Sequence, residues 1–173
     1  TFLLFTTLLI LWGSPPLTGW AGGGAWTDLH GPSGGPAQVV ALNPNYPTDL
    51  TVLAGGGLDT GYASWLGEGI FRSLDGGRTW EAPRGPAKGA LMDVAFSPRW
   101  QDDGMAAAGF YQGIWTTHDR GATWKQISGI DFGGPGWLGA VAVASPAAGR
   151  YTLLAGGVMG GLYRSADEGT TWT

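Results

Sequence analysis

From residue 39 to the end, short apolar runs alternate with polar, glycine-rich turns. VVALNPNYPTDLTVLAGG (39–56), DVAFSPRWQDDGMAAAGF (93–110) and VAVASPAAGRYTLLAGG (141–157) share one layout. Each holds an apolar run, then Asn-Pro or Ser-Pro at Pro44, Pro98 or Pro146, a polar turn, and a second apolar run ending in glycine. A third short run follows: GIFRS (69–73), GIWTT (113–117) and GLYRS (161–165). Runs this short, rich in β-branched and aromatic residues and bounded by Gly and Pro, predict strands. Strand one is the run before the proline, such as Val39–Leu42, and its continuous hydrophobicity predicts burial on both faces. Strand two is of the Thr51–Ala54 type, and strand three of the Ile70–Ser73 type. Each proline falls just outside strand one, where it removes no ladder hydrogen bond.

A polar motif closes every unit. RSLDGGRTW at 72–80 returns as TTHDRGATW at 116–124 and as RSADEGTTW at 164–172. The shared pattern is [ST]-x-D-x-G-x-T-W, its aspartates Asp75, Asp119 and Asp167 separated by 44 and 48 residues. A fourth strand is expected to begin at the Thr-Trp, as in Thr79–Glu81. Four short strands repeating every 40–50 residues are the signature of a β-propeller blade. The fold class is therefore all-β, a propeller fragment of about three four-stranded blades. The blades run over about 38–82, 91–127 and 139–173, inside a partial propeller at 22–173. Ala25-Trp26-Thr27-Asp28-Leu29 matches the strand-four position without the turn, and Trp26 lies 13 residues before Val39 as Trp80 lies 13 before Asp93. Trp26 thus reads as a stray outer strand of the last blade. A ring needs about 4–8 blades. Both ends of the chain therefore read as truncated, and self-association through open faces and an unpaired edge is expected.

The repeated motif resembles the Asp box, or BNR repeat, of sialidases, sortilin-type receptors, some xyloglucanases and photosystem II assembly propellers. The resemblance covers roughly residues 26–173. It implies the fold, and it implies that the box joins strands three and four on the face away from any active site. It implies no single activity, because one fold carries many. The residues themselves agree with a turn. Aspartate accepts hydrogen bonds from nearby backbone N–H groups. Gly77, Gly121 and Gly169 allow positive φ. The hydroxyls of Ser73, Thr117 and Ser165 can tie the arms, with Thr79, Thr123 and Thr171 beside them. Trp80, Trp124 and Trp172 cover the hairpin with apolar area. Metal ligation by the aspartates would need further carboxylates that a calcium loop supplies and this motif lacks.

Composition narrows the chemistry. Charged residues make up 13% of the 173, against about 25% in ordinary domains. The net charge of −4 and the absence of a basic stripe argue against nucleic acid. There are no cysteines and only two histidines, His30 and His118, so disulfides, cysteine-ligated zinc and multi-histidine metal sites are excluded. No cofactor and no metal are expected. The opening TFLLFTTLLILWG is too short for a comfortable span of roughly 20 residues. It fits the apolar region of an N-terminally incomplete signal peptide over 1–21, with Gly19 and Ala21 as the small residues before the cut. A buried strand or an uncleaved anchor are the other readings. A secreted, periplasmic or cell-surface location follows from the first, with no membrane contact beyond that segment.

Candidate binding chemistry lies opposite the aspartate turns. Between strands two and three the first unit carries GGLDTGYASWLGEG (56–69), ten residues longer than the FYQG (110–113) of the second. It holds Asp59, Tyr62, Trp65 and Glu68. SGIDFGGPGWLG (128–139) is also extended and adds Asp131, Phe132 and Trp137, while APRGPAKG (82–89) brings Arg84 and Lys88. Aromatics beside carboxylates can stack on and hydrogen-bond a sugar, and long loops on a rigid scaffold commonly carry function. Aromatics packed down over the blade tops are the alternative. Two function classes follow: a non-catalytic module binding glycan or protein, or a glycoside hydrolase of sialidase or xyloglucanase type. The resemblance implies that a sialidase needs an arginine cluster, a Tyr-Glu pair and an aspartate. Its F-R-I-P motif is absent, for Phe71-Arg72 leads into Ser73-Leu74. A hydrolase with two separated carboxylates would draw on Asp59, Glu68 or Asp131. No residue specifically supports an assembly helper.

Overall fold

A computed structural model describes residues 37–57, 69–82, 84, 89–111, 113–127, 130, 138–144, 150–158 and 160–173. The 1–21 segment, Trp26 and His30 lie outside them. The described residues form three antiparallel sheets in chain order. The first contains β1 (Ala37–Leu42), β2 (Val52–Gly56) and β3 (Gly69–Ser73). The second contains β4 (Leu91–Phe96), β5 (Ala106–Phe110), β6 (Gly113–Thr117) and β7 (Lys125–Ile127). The third contains β8 (Leu138–Ala144), β9 (Thr152–Gly157) and β10 (Gly161–Ser165). Each sheet is an up-and-down meander. This is the arrangement of a partial β-propeller.

The registers superimpose the repeats residue by residue. Val52 pairs with Ser73, Ala106 with Thr117 and Leu153 with Ser165. On the first strands Leu42, Phe96 and Val143 pair with those same second-strand positions. Every sheet therefore has a rear face, turned toward the preceding sheet, and a front face, turned toward the next. Val39, Leu53 and Ile70 on the front of the first sheet pack on Val94, Phe96, Ala108 and Trp115 on the rear of the second. Ala95, Ala107 and Ile114 on the front of the second pack on Val141, Val143, Leu153 and Tyr163 on the rear of the third. The core consists of these two boundaries. Phe96 and Trp100 meet edge to face at 4.7 Å in the first.

Three features differ from the expectations above. Strand one is not buried on both faces: Val40 is 66% and Leu42 53% exposed. The continuously buried strand is strand two, with all five residues of β5 buried. It lies inside its sheet and between two other sheets, whereas strand one forms a sheet edge. The fourth strand begins after the tryptophan, not at the Thr-Trp. In the second sheet it is Lys125–Ile127, and in the first it shrinks to one bridge between Arg72 and Glu81. Lastly, the polar turn of the second unit holds a single helical turn, α1 (Trp100–Asp103), stopped by Gly104 at φ 57°, whose N–H donates to the Trp100 carbonyl.

Candidate functional site

The three aspartate turns are nearly superimposable in their bonding. Ser73 Oγ donates to Asp75 Oδ1 at 2.8 Å and accepts from the Gly77 N–H at 2.8 Å. The Thr79 N–H donates to Asp75 Oδ1 at 2.9 Å, and Thr79 Oγ1 donates to Oδ2 at 2.7 Å. Thr117, Asp119, Gly121 and Thr123 repeat this at 2.8, 2.9, 2.8 and 2.6 Å. Ser165, Asp167, Gly169 and Thr171 do so at 2.8, 2.8, 2.8 and 2.6 Å. The glycine of the last turn is held there twice over. Its φ is 88°, and a Cβ would lie 2.4 Å from Ile127 Cγ2. The residue before that glycine is left-handed too: Arg120 at φ 58° and Glu168 at φ 61°. Sequence reasoning missed this second position, which glycine occupies only in the first turn. Trp124 is buried, whereas Trp80 and Trp172 are half-buried. The Trp172 indole donates to the Gly169 carbonyl at 3.2 Å.

These bonds set the electrostatics. The Thr79 hydroxyl and then its N–H hold Asp75 down at about 2. The Thr171 hydroxyl and N–H do the same for Asp167, also to about 2. At Asp119 burial works the other way, but the bonds from Thr123 and Thr117 prevail and its carboxyl is lowered. Carboxylates held this low are hydrogen-bond acceptors without a proton to give near neutrality. A general acid needs the opposite shift.

A second set of polar contacts crosses the sheet boundaries, and the sequence reading did not single it out. Asp49 ends the turn between β1 and β2. Its Oδ1 accepts from the Thr51 N–H and hydroxyl at 2.9 and 2.6 Å. Its Oδ2 accepts the indole N–H of buried Trp100 at 2.9 Å and faces Arg120 at 3.3 Å, both from the second sheet. Burial raises the Asp49 carboxyl, but these bonds outweigh it and leave a net lowering. Asp103 holds the matching place one unit on. It caps Ser97 and the Met105 N–H and faces the phenol of Tyr151 in the third unit. Burial first, then the Asp103 and Glu168 charges, push that phenol upward. Asp93 ties the same boundary at the inner strands, where its Oδ2 accepts from the Val141 N–H at 2.8 Å. The signal was present: carboxylates at 49 and 103 sit five residues after the repeat prolines.

Magnitudes rank these contacts. Each buried Leu or Ile at a boundary is worth about 1.5–3 kcal/mol, and an ion pair open to solvent on its arginine side, such as Arg120–Asp49, about 0–1 kcal/mol. Apolar burial holds the sheets together, and the polar contacts set their alignment.

Gly56 and Gly69 flank the long first connection and pair at the end of the sheet opposite the aspartate turn. Asp59, Tyr62, Trp65, Glu68, Asp131 and Trp137 lie outside the described residues, as do Lys88 and Phe132. Arg84 is described: its N–H donates to the Ala122 carbonyl at 2.9 Å, fastening the connection onto the second turn. His118 is exposed and stacks obliquely on Tyr151 at 5.6 Å. It borders a polar cavity of about 430 Å³ with Lys125, Ile127 and Glu168. Among the described residues no helix is long and apolar enough to cross a membrane.

No protein-family profile and no curated protein matches the chain. Solved structures do. An ancestral GH74 enzyme aligns at 16% identity over 86% of this chain and 19% of its own, with a TM-score of 0.59. The GH74 enzyme of Niastella koreensis aligns at 20% identity over 70% of this chain and 17% of its own, with a TM-score of 0.46. YCF48 bound to a D1 peptide aligns at 19% identity over 83% of this chain and 45% of its own, with a TM-score of 0.47. The chain spans about a fifth of the ancestral enzyme, and what that alignment establishes, with the three stacked sheets, is a partial β-propeller fold.

Proposed function

We propose that the chain is part of an Asp-box propeller acting as a binding or scaffold module for a glycan or a protein, at or outside the cell surface. The supporting observation is the saturation of the repeated turns. Both oxygens of Asp75, Asp119 and Asp167 are engaged within their own hairpins, and no proton donor is left in them. Their work is to hold strands three and four, without metal or cofactor. Ligand contact belongs at the other end, to Asp59, Tyr62, Trp65, Glu68, Asp131 and Trp137. Trp65→Ala and Trp137→Ala are expected to weaken glycan or peptide binding by about tenfold or more, the effect of losing an aromatic anchor. Asp75→Asn should leave affinity unchanged in the folded fraction. The decisive assay gives the full-length protein a glycan array and a panel of sialosides and β-glucans. Binding without sugar release supports the module. Release that is abolished by alanine at Asp59, Glu68 or Asp131 would make it a glycoside hydrolase and overturn the proposal.

A further inference from the structure

The two internal boundaries share one plan but are charged differently at their aspartate-turn end. At the first, Asp49 faces Arg120 at 3.3 Å. Arginine is always charged, so this tie does not depend on pH near neutrality. Arg120 stands one residue after the aspartate of the second turn, in left-handed backbone. At the second boundary Asp103 holds the place of Asp49, and Glu168 holds the place of Arg120 with the same left-handed backbone. An acid therefore stands where the first boundary has its fixed cation. The charges of Asp103 and Glu168 both reach the hydroxyl of Tyr151. One further substitution falls at this place. His118 of the second turn replaces Leu74 of the first. Its ring reaches over to the third unit, with its centroid 5.6 Å from that of Tyr151, and it lines the 430 Å³ cavity together with Glu168.

We propose that His118 is a pH-sensitive latch on the second boundary: on gaining a proton it supplies, beside Tyr151, Asp103 and Glu168, the cation that Arg120 supplies permanently to Asp49. An aromatic ring attracts a cation within about 6 Å of its centroid, and both carboxylates attract it as well. The other charges around the site are of fixed kinds. Arg99 also reaches Tyr151, but it is paired with Asp102 at 3.4 Å. Lys125 lines the cavity beside His118. Arg150 and Asp167 border a neighbouring cavity with Glu168. Asp119, next to His118 in the chain, is engaged within its own turn. Carboxylates, lysine and arginine ordinarily keep their charge between about pH 5 and pH 8, whereas imidazole changes its own there. The folded chain favours the protonated imidazole, so the latch holds below the histidine range and is lost as pH rises through it. The first boundary keeps its tie throughout.

The test is a double-mutant cycle in the full-length protein, His118→Leu against Tyr151→Leu, read from urea unfolding at about pH 5.5 and about pH 8. At the lower pH the two residues should be coupled by about two- to fivefold in the unfolding constant, the size of an exposed cation–π contact. At the higher pH the coupling should fall toward onefold. His118→Arg, a planar cation at every pH, should hold the coupling at both. The corresponding cycle at the first boundary, Asp49→Asn against Arg120→Gln, should give one value at both. A His118–Tyr151 coupling that is equal at the two pH values overturns the proposal. So does an Asp49–Arg120 coupling that changes in step with it, because the change would then not belong to His118. If Tyr151→Leu does not fold, the Tyr151 ring resonances of the wild type replace the cycle. They should move with one histidine midpoint between about pH 5 and pH 8 and stand still in His118→Leu. Ring resonances that ignore pH in the wild type, or that still titrate in His118→Leu, would overturn the latch.

Discussion

Ile114 and Leu162 hold the same place in consecutive sheets, yet one is 1% and the other 74% exposed. Their strands follow the same pattern, a glycine, an aliphatic, an aromatic and a closing hydroxyl, in GIWTT and GLYRS. The second sheet has neighbours on both faces, and the third has one among the described residues. Burial is therefore a property of the stack and not of the repeat. A side chain can be core in one unit and surface in the next without any change in its own character. This gives each substitution in the second sheet an internal control in the third.

The widest separation should come from the aliphatic pair. Ile114→Ala should cost about 2–5 kcal/mol through lost burial and an unfilled cavity. Leu162→Ala should stay within about 0.5 kcal/mol. Urea unfolding of both variants checks this, and equal losses would break the comparison. The glycines come next. Gly109→Ala should cost about 1–3 kcal/mol by overpacking against Leu138. Gly156→Ala should be neutral or stabilise by about 0.5 kcal/mol, because alanine is the better strand residue where there is room.

An effect of the same size is expected at the boundary ties. Asp49→Ala leaves the Trp100 indole N–H without its acceptor and should cost about 1–3 kcal/mol, much of it from that buried donor. The smallest effect should be even across the sheets. Asp75 and Asp167 have pKa values depressed in the fold to about 2 from an ordinary 3.8. A depressed carboxyl favours the fold above its unfolded pKa and loses that contribution as pH falls through the folded value. The turns should therefore loosen between about pH 4 and pH 2. Thr79→Val, which removes the leading hydrogen bond, should move the Asp75 titration back toward 3.8. Carbon-detected NMR of the carboxyl resonances follows both sites, and an unmoved Asp75 would contradict the assignment of cause.

Most of the fold was legible because its rule is local and repeated. Apolar runs, prolines and the aspartate motif place the first three strands of each unit within one or two residues. The failures share one physical cause. Exposure of Val40 and Leu42 depends on what faces them, which no run of four residues encodes. The Thr-Trp pattern sets the fourth strand too early because the tryptophan closes the turn before pairing resumes at Lys125. Arg120 and Glu168 hid their left-handed backbone because non-glycine residues adopt it only when the surrounding bonds enforce it. The Asp49, Asp93 and Asp103 contacts cross between units, so a scan within units passes over them. The candidate ligand residues rest on loop length and composition, a weaker kind of signal than register.

The bond from Val141 to Asp93 has a use of its own. A backbone N–H of one sheet is held by a side chain of another, at 2.8 Å. Its exchange with deuterium requires that contact between the sheets to open, whereas exchange within a ladder requires strands to part. Val141 is thus a built-in clock for the coming and going of neighbours, readable while both sheets remain intact.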